Sequence, residues 1–133
     1  MECSRIMIKV QLSGQFEFKD NDLKNRNYEL SIMTDCWATI IVNDEVFFED
    51  WICPLELYFQ YLDWKKDFDN GLIHDFEYVS DDNGKNPILS FYKIDDNWIA
   101  FSALTQKNSG FITKNGILDF FEAFKVQLLK HKK

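Results

Sequence analysis

Between Ile6 and Phe18 the chain alternates with a period of two, and few folds accommodate that pattern. Ile6, Ile8, Val10, Leu12, Phe16 and Phe18 hold the even positions, while Lys9, Gln11, Ser13, Gln15 and Glu17 hold the odd ones. Successive side chains of a strand point to opposite faces, so one face is buried and the other is wet. Antiparallel sheets have that character, whereas parallel strands are covered on both faces and read as continuous apolar runs. Gly14 falls where a bend or bulge is expected.

The charged, Asn-rich stretch 20–27 predicts a connecting loop, and Tyr28, Leu30 and Ile32 alternate with Glu29 and Ser31 as a further strand. Trp37 to Val42 and Glu45 to Trp51 flank Asn43-Asp44, a dipeptide that tolerates positive φ and so predicts a tight hairpin. Pro54 suits the first turn of a helix. The spacing predicts that helix over about 54–69, with Glu56, Gln60, Asp63 and Asp67 within about 60° of one another as a polar stripe. Leu55, Leu57, Tyr58, Tyr61, Leu62 and Phe68 take the opposite arc, and Phe59 and Trp64 flank the acids. Asp69-Asn70-Gly71 supplies a left-handed terminator.

Phe76 to Val79 predicts a short strand, and 80–86 a polar turn. Ile88 to Ile94 and Trp98 to Leu104 surround Asp95-Asp96-Asn97, a second hairpin signal, and Gly110 to Thr113 adds a last short strand. Asn115 is the expected cap of a C-terminal helix over about 115–130. Ile117, Phe121, Phe124 and Leu128 give that helix its core stripe, with Asp119, Glu122 and Lys130 outside. The expected fold is α+β: mainly antiparallel sheet of about seven to eight strands with two segregated helices. With 133 residues the chain is expected to form one domain, 1–133, large enough to bury a core without staples.

Charge is distributed by region. The chain carries 15 Lys+Arg against 22 Asp+Glu, net -7. Residues 1–34 are balanced and residues 83–133 carry net +4, whereas residues 35–82 hold thirteen acids against Lys65 and Lys66, net -11. Eleven of the 22 aromatic residues lie in the same middle third. An acidic balance of this kind argues against gripping nucleic acid or an anionic membrane. No apolar run approaches the roughly 20 residues of a membrane span, and no secretory signal pattern opens the chain. Three cysteines without a CxxC pair suggest neither a disulfide framework nor a zinc site. A protein of the reducing cytoplasm is expected.

No catalytic constellation emerges. His74 stands alone in a loop, His131 lies in a basic tail, and Cys36 and Cys53 read as small buried hydrophobes. The pairs Asp44-Glu45, Glu49-Asp50, Asp81-Asp82 and Asp95-Asp96 fail the calcium-loop test, since loops begun at Asp67 or Asp81 place Tyr78 or Tyr92 at position twelve. No enzyme activity, cofactor or metal is expected. What stands out is a surface: Glu49 and Asp50 precede Trp51, and Asp63 and Asp67 accompany Trp64. A solubilising face is the competing account, yet clustered like charge works against the folded state. Aromatics inside an acidic field have the composition of a steered hot spot for a basic partner. The candidate contact residues are Asp44, Glu45, Glu49, Asp50, Trp51, Glu56, Asp63, Trp64, Asp67, Asp81 and Asp82.

The phrases QLSGQFEF, FFEDW followed by PLELYFQYLDW, and DDNGKNPILSFYK leading into the Trp98 strand resemble WapI-like immunity proteins. The resemblance covers most of the chain and rests on the order of aromatic-acidic phrases rather than on a catalytic signature. It implies a non-enzymatic cytoplasmic inhibitor that neutralises the toxic C-terminal domain of a wall-associated contact-dependent toxin of bacilli, often a nuclease acting on tRNA. It carries no binding residues with it, so the candidates above stand on charge alone. The other readings are a small-ligand or accessory domain with a pocket of Trp37, Tyr92 and Trp98, an enzyme using His74 or Cys53, and a self-pairing subunit. Like charge disfavours self-pairing through the acidic face, so a monomer is expected.

Overall fold

A computed structural model of the chain describes residues 8–14, 18–24, 36–79, 88–103 and 105–131. Their order is β1 (Ile8–Ser13), α1 (Asp20–Lys24), β2 (Cys36–Val42), β3 (Glu45–Ile52), α2 (Pro54–Asp69), β4 (Phe76–Tyr78), β5 (Leu89–Ile94), β6 (Asn97–Ser102), β7 (Lys107–Ile112) and α3 (Lys114–Lys130). The strands form two antiparallel sheets, β1-β2-β3 and β4-β5-β6-β7. The architecture is therefore α+β, with seven strands and two long helices among the described residues. The expected strand around Tyr28 to Ile32 and the turn at 80–86 lie outside them.

Alternation does what the sequence predicts in the first sheet. Val10 pairs with Ile40 and Ile40 with Phe48, Leu12 pairs with Ala38, and all five are buried. Asn43 and Asp44 form the two-residue hairpin loop with φ of 51° and 69°, which matches the strand twist. Beyond it the register shifts: Ile41 pairs with Val46 but Ile40 with Phe48, so Phe47 is an inserted residue. That bulge lets the adjacent Phe47 and Phe48 both enter the core, which strict alternation forbids.

Both long helices depart from expectation at one point. In α2 the N-terminal half is buried almost all round, so Glu56 and Phe59 are core residues, and Trp64 further along the helix is buried as well. The predicted polar stripe survives only from Gln60 onward, and Gln60 itself clamps β4: its amide donates to the Val79 carbonyl (3.1 Å) and accepts from the Val79 N–H (3.3 Å). Gly71, at φ +87°, turns the chain out of α2. In α3 the cap is Thr113 rather than Asn115, because Thr113 is extended and its hydroxyl accepts from the Gly116 N–H at 3.0 Å. The stretch read as a loop after residue 19 contains α1, whose Asp22 carboxylate accepts from the Lys19 N–H (2.6 Å) in the manner of a capping box. Strand β7 begins three residues before the predicted Gly110, where Lys107, Asn108 and Ser109 carry no apolar signal.

Helix α3 joins the two sheets. Its Gln127 side chain accepts from the Leu12 N–H on the edge of β1 (3.3 Å), and a ring nitrogen of His131 bonds the Gly14 carbonyl (2.8 Å). Its apolar stripe, which includes Phe120 as well as the predicted residues, enters one continuous core shared by both sheets and α2. Phe121 is the centre of that core. Its ring stacks on Tyr61 at 3.8 Å and also meets Phe76, Phe91, Phe120 and Phe124. Burial first, and nearby Glu122 second, push the Tyr58 and Tyr61 phenols above their ordinary range, so both stay protonated in the core.

Candidate functional site

The face of the first sheet turned away from the core collects most of the candidates that remain at the surface. Thr39 pairs with Glu49 and Trp37 with Trp51, so alternate residues of β2 and β3 stand together on the outward side. Trp37 and Trp51 meet edge to face with centroids 5.6 Å apart, yet Trp51 remains 59% exposed. Thr39 Oγ1 donates to Glu49 Oε2 at 2.7 Å, which fixes the carboxylate beside the tryptophan pair. Ile41 and the exposed Val46 continue the same side toward the hairpin tip. At that tip Asp44 lies 3.9 Å from Lys9 Nζ, and Glu45 is exposed. Asp50 has the other parity: it pairs with Ala38, is half-buried, and accepts the Trp51 N–H at 2.7 Å. An extended, amphipathic strand surface bearing an exposed indole and a positioned carboxylate is suited to protein contact.

The acids of α2 are held separately. Asp63 is exposed on the helix, and Asp69 pairs with Lys65 at 2.7 Å. Asp67 Oδ2 lies 3.1 Å from His74 Nε2, whose Nδ1 lies 2.9 Å from the Asp75 carbonyl. Trp64 serves this arrangement from the core: its indole N–H donates to the His74 carbonyl at 2.7 Å. Trp64 is 3% exposed and packs against Trp98, so it is an anchor for the loop and not a contact residue. Asp81 and Asp82 lie outside the described residues. The nine candidates among the described residues thus divide into a hairpin group (Asp44, Glu45, Glu49, Asp50 and Trp51), a helix-flank group (Asp63 and Asp67) and two core residues, Glu56 and Trp64.

His74 has its pKa raised above the ordinary 6.5, first by the Asp75 carbonyl and then by Asp67. The sign follows from linkage. The stabilisation from protonated His74 is fully present below about 6.5, the unfolded value, and is lost as pH rises through the higher folded value. Because the pair is half exposed, the effect on stability is small. Asp67→Asn is expected to lower the His74 pKa toward 6.5 in an NMR titration of the imidazole. An unchanged His74 titration would contradict the Asp67 contribution.

Glu56 owes its place to Tyr78, a fully buried residue whose hydroxyl donates to Glu56 Oε1 (3.2 Å) and accepts from the Cys53 N–H (3.1 Å). Tyr78→Phe removes both bonds and is expected to cost about 1–3 kcal/mol in urea unfolding, with the denaturant slope unchanged. A smaller loss would show that other groups satisfy the Glu56 carboxylate. Cys36 and Cys53 are buried, 2% and 4% exposed. Among the described residues no group of three or more His, Cys, Asp or Glu is placed to hold a metal ion.

Sequence reasoning missed an open cleft of about 300 Å³ where the β2–β3 hairpin meets β7. It is lined by Asn43, Glu45, Val46 and Phe47 on one side and by residues 106–109 on the other. Lys107 Nζ donates to the Val46 carbonyl (3.2 Å) and Thr105 Oγ1 to the Phe47 carbonyl (3.1 Å), tying the edge of β3 to the second sheet. The pocket imagined from Trp37, Tyr92 and Trp98 does not form: Trp98 is buried against Trp64 and Phe68, whereas Trp37 stands on the outer side of the other sheet. The Thr39–Glu49 bond and the Trp37–Trp51 pair were also missed. Hairpin counting alone sets Trp37 opposite Asp50, and only the bulge at Phe47 moves it opposite Trp51.

Residues 10–131 match the family described as Domain of unknown function (DUF7878), and the chain belongs to that family. No curated protein and no solved structure matches it. Among the described residues no helix is long and apolar enough to cross a membrane.

Proposed function

We propose that this DUF7878 protein is a non-catalytic inhibitor of the immunity type, which captures a cognate toxin domain with a basic surface. The observation that carries the reading is the outward face of β2 and β3, where Glu49 is held by Thr39 beside the exposed Trp51 and the partly buried Trp37 it packs on. The likeness of its aromatic-acidic phrases to WapI-like immunity proteins supports the same reading. Asp44 and Glu45 extend the negative potential to the hairpin tip and would speed encounter with a positive partner at low salt. A contact of roughly 800 Å² per partner, the standard size, is within reach of a domain like this. The inhibitor would act in the cytoplasm as a monomer, one to one, covering a nuclease surface that grips phosphates.

The test is co-expression. Where the gene just upstream encodes a large secreted protein with a variable C-terminal domain, that domain is produced in a susceptible cell with and without this chain. Restored growth and a stable complex support the reading, and unrelieved toxicity with no complex overturns it. The cleft beside the hairpin favours one other reading, a small-ligand domain. A thermal shift with a metabolite panel, combined with no effect of the toxin domain, would favour that reading instead.

A further inference from the structure

We propose that Trp51 and Glu49 form a docking point for an arginine side chain of the partner, an inference that rests on the sheet face being the capture surface. Residues two apart on a strand share a side, so Glu49 and Trp51 stand next to each other facing outward. Each is held by a cross-strand neighbour: Thr39 Oγ1 bonds Glu49 Oε2 at 2.7 Å, and Trp37 packs edge to face on Trp51 at 5.6 Å. A carboxylate and an aromatic ring fixed side by side provide the two contacts a cation uses, ion pairing and the negative face of the ring.

Charge narrows the occupant. The outward neighbours at this end of the sheet, Ser13, Gln11, Thr39 and Trp37, are uncharged, and the cation of the face, Lys9, stands at the other end beside Asp44. An acidic partner would be repelled by Glu49. A purely apolar one would cover the Trp51 indole only by burying the carboxylate without compensation. A guanidinium satisfies both groups, because it is planar, forks onto a carboxylate and stacks on an indole. It is also more weakly hydrated than an ammonium, so it loses less on leaving water.

The experiment uses peptides and needs no toxin. Hexaarginine, hexalysine and hexacitrulline are titrated into the full chain, and the four tryptophan indole N–H signals are followed by ¹H–¹⁵N NMR. Hexaarginine is expected to shift the Trp51 and Trp37 indoles saturably while buried Trp64 and Trp98 stay in place. Hexalysine should bind several-fold more weakly at this position and hexacitrulline not at all, and Glu49→Gln should weaken hexaarginine about tenfold. Trp51→Ala keeps the fold, since the side chain is largely exposed, and should remove the response of the Trp37 indole. Still Trp51 and Trp37 signals, or equal binding of the arginine and lysine peptides, would overturn the docking point. Failure of toxin rescue with these shifts intact would overturn the capture reading alone, and rescue without the shifts would overturn the docking point alone.

Discussion

Phe121→Ala is expected to destabilise the fold by about 3–5 kcal/mol, the range for removing a fully buried aromatic ring. Phe121 is 1% exposed and touches rings from α2, β4, β5 and its own helix, so no single neighbour closes the space it leaves. A loss of that size is a large share of the 5–15 kcal/mol typical of a whole domain, and it should lower Tm by about 10–20 °C. Phe111 provides the comparison. It is 58% exposed on β7, and Phe111→Ala should change stability by less than about 0.5 kcal/mol. Similar effects of the two substitutions, read by thermal and urea unfolding, would contradict a core centred on α3.

Trp51→Ala is expected to have the largest effect on capture of any single substitution at the surface. Hot-spot tryptophans typically contribute 2 kcal/mol or more, about thirtyfold in Kd, with the change mainly in dissociation rate. The cost to the fold should stay near the value of the ring pair, about 0.5–1.5 kcal/mol, because Trp51 is mostly in solvent. Affinity measured on the complex with the toxin domain, beside a melting curve of the free variant, separates the two effects. Undiminished affinity would remove Trp51 from the interface.

The sheets were legible where one local signal agreed with another. Alternation in Ile8–Ser13 and Cys36–Val42 marked the inward faces, and Asn43-Asp44 marked the hairpin, because few residues accept two consecutive positive φ values. Pro54 and Gly71 bracketed α2 for equally local reasons. The bulge at Phe47 was not legible, although two adjacent phenylalanines in a half-buried strand were its signature. Glu56 and Trp64 were misplaced because helical periodicity assumes one dry and one wet face. The start of α2 is instead surrounded on most sides, where the Tyr78 hydroxyl bonds the Glu56 carboxylate, and Trp64 further along is covered by Phe76 and Trp98. At the candidate site, Glu49 and Trp51 could be read as exposed neighbours from their own strand. Their partners Thr39 and Trp37 follow only from the bulged register, which is a tertiary fact.

The division of the acids gives the most direct test of where the protein works. One variant reverses the sheet face and its hairpin tip, Glu49→Lys with Glu45→Lys, and a second reverses the helix flank, Asp63→Lys with Asp67→Lys. Each changes the net charge by the same amount, so a general loss of electrostatic attraction affects both alike. Binding of the toxin domain is measured for each across a range of salt concentrations. Capture through the sheet face predicts that the sheet-face variant loses affinity by at least about a hundredfold and flattens its salt dependence, while the helix-flank variant loses only a few-fold. Strong binding by the sheet-face variant and loss by the helix-flank variant would contradict it.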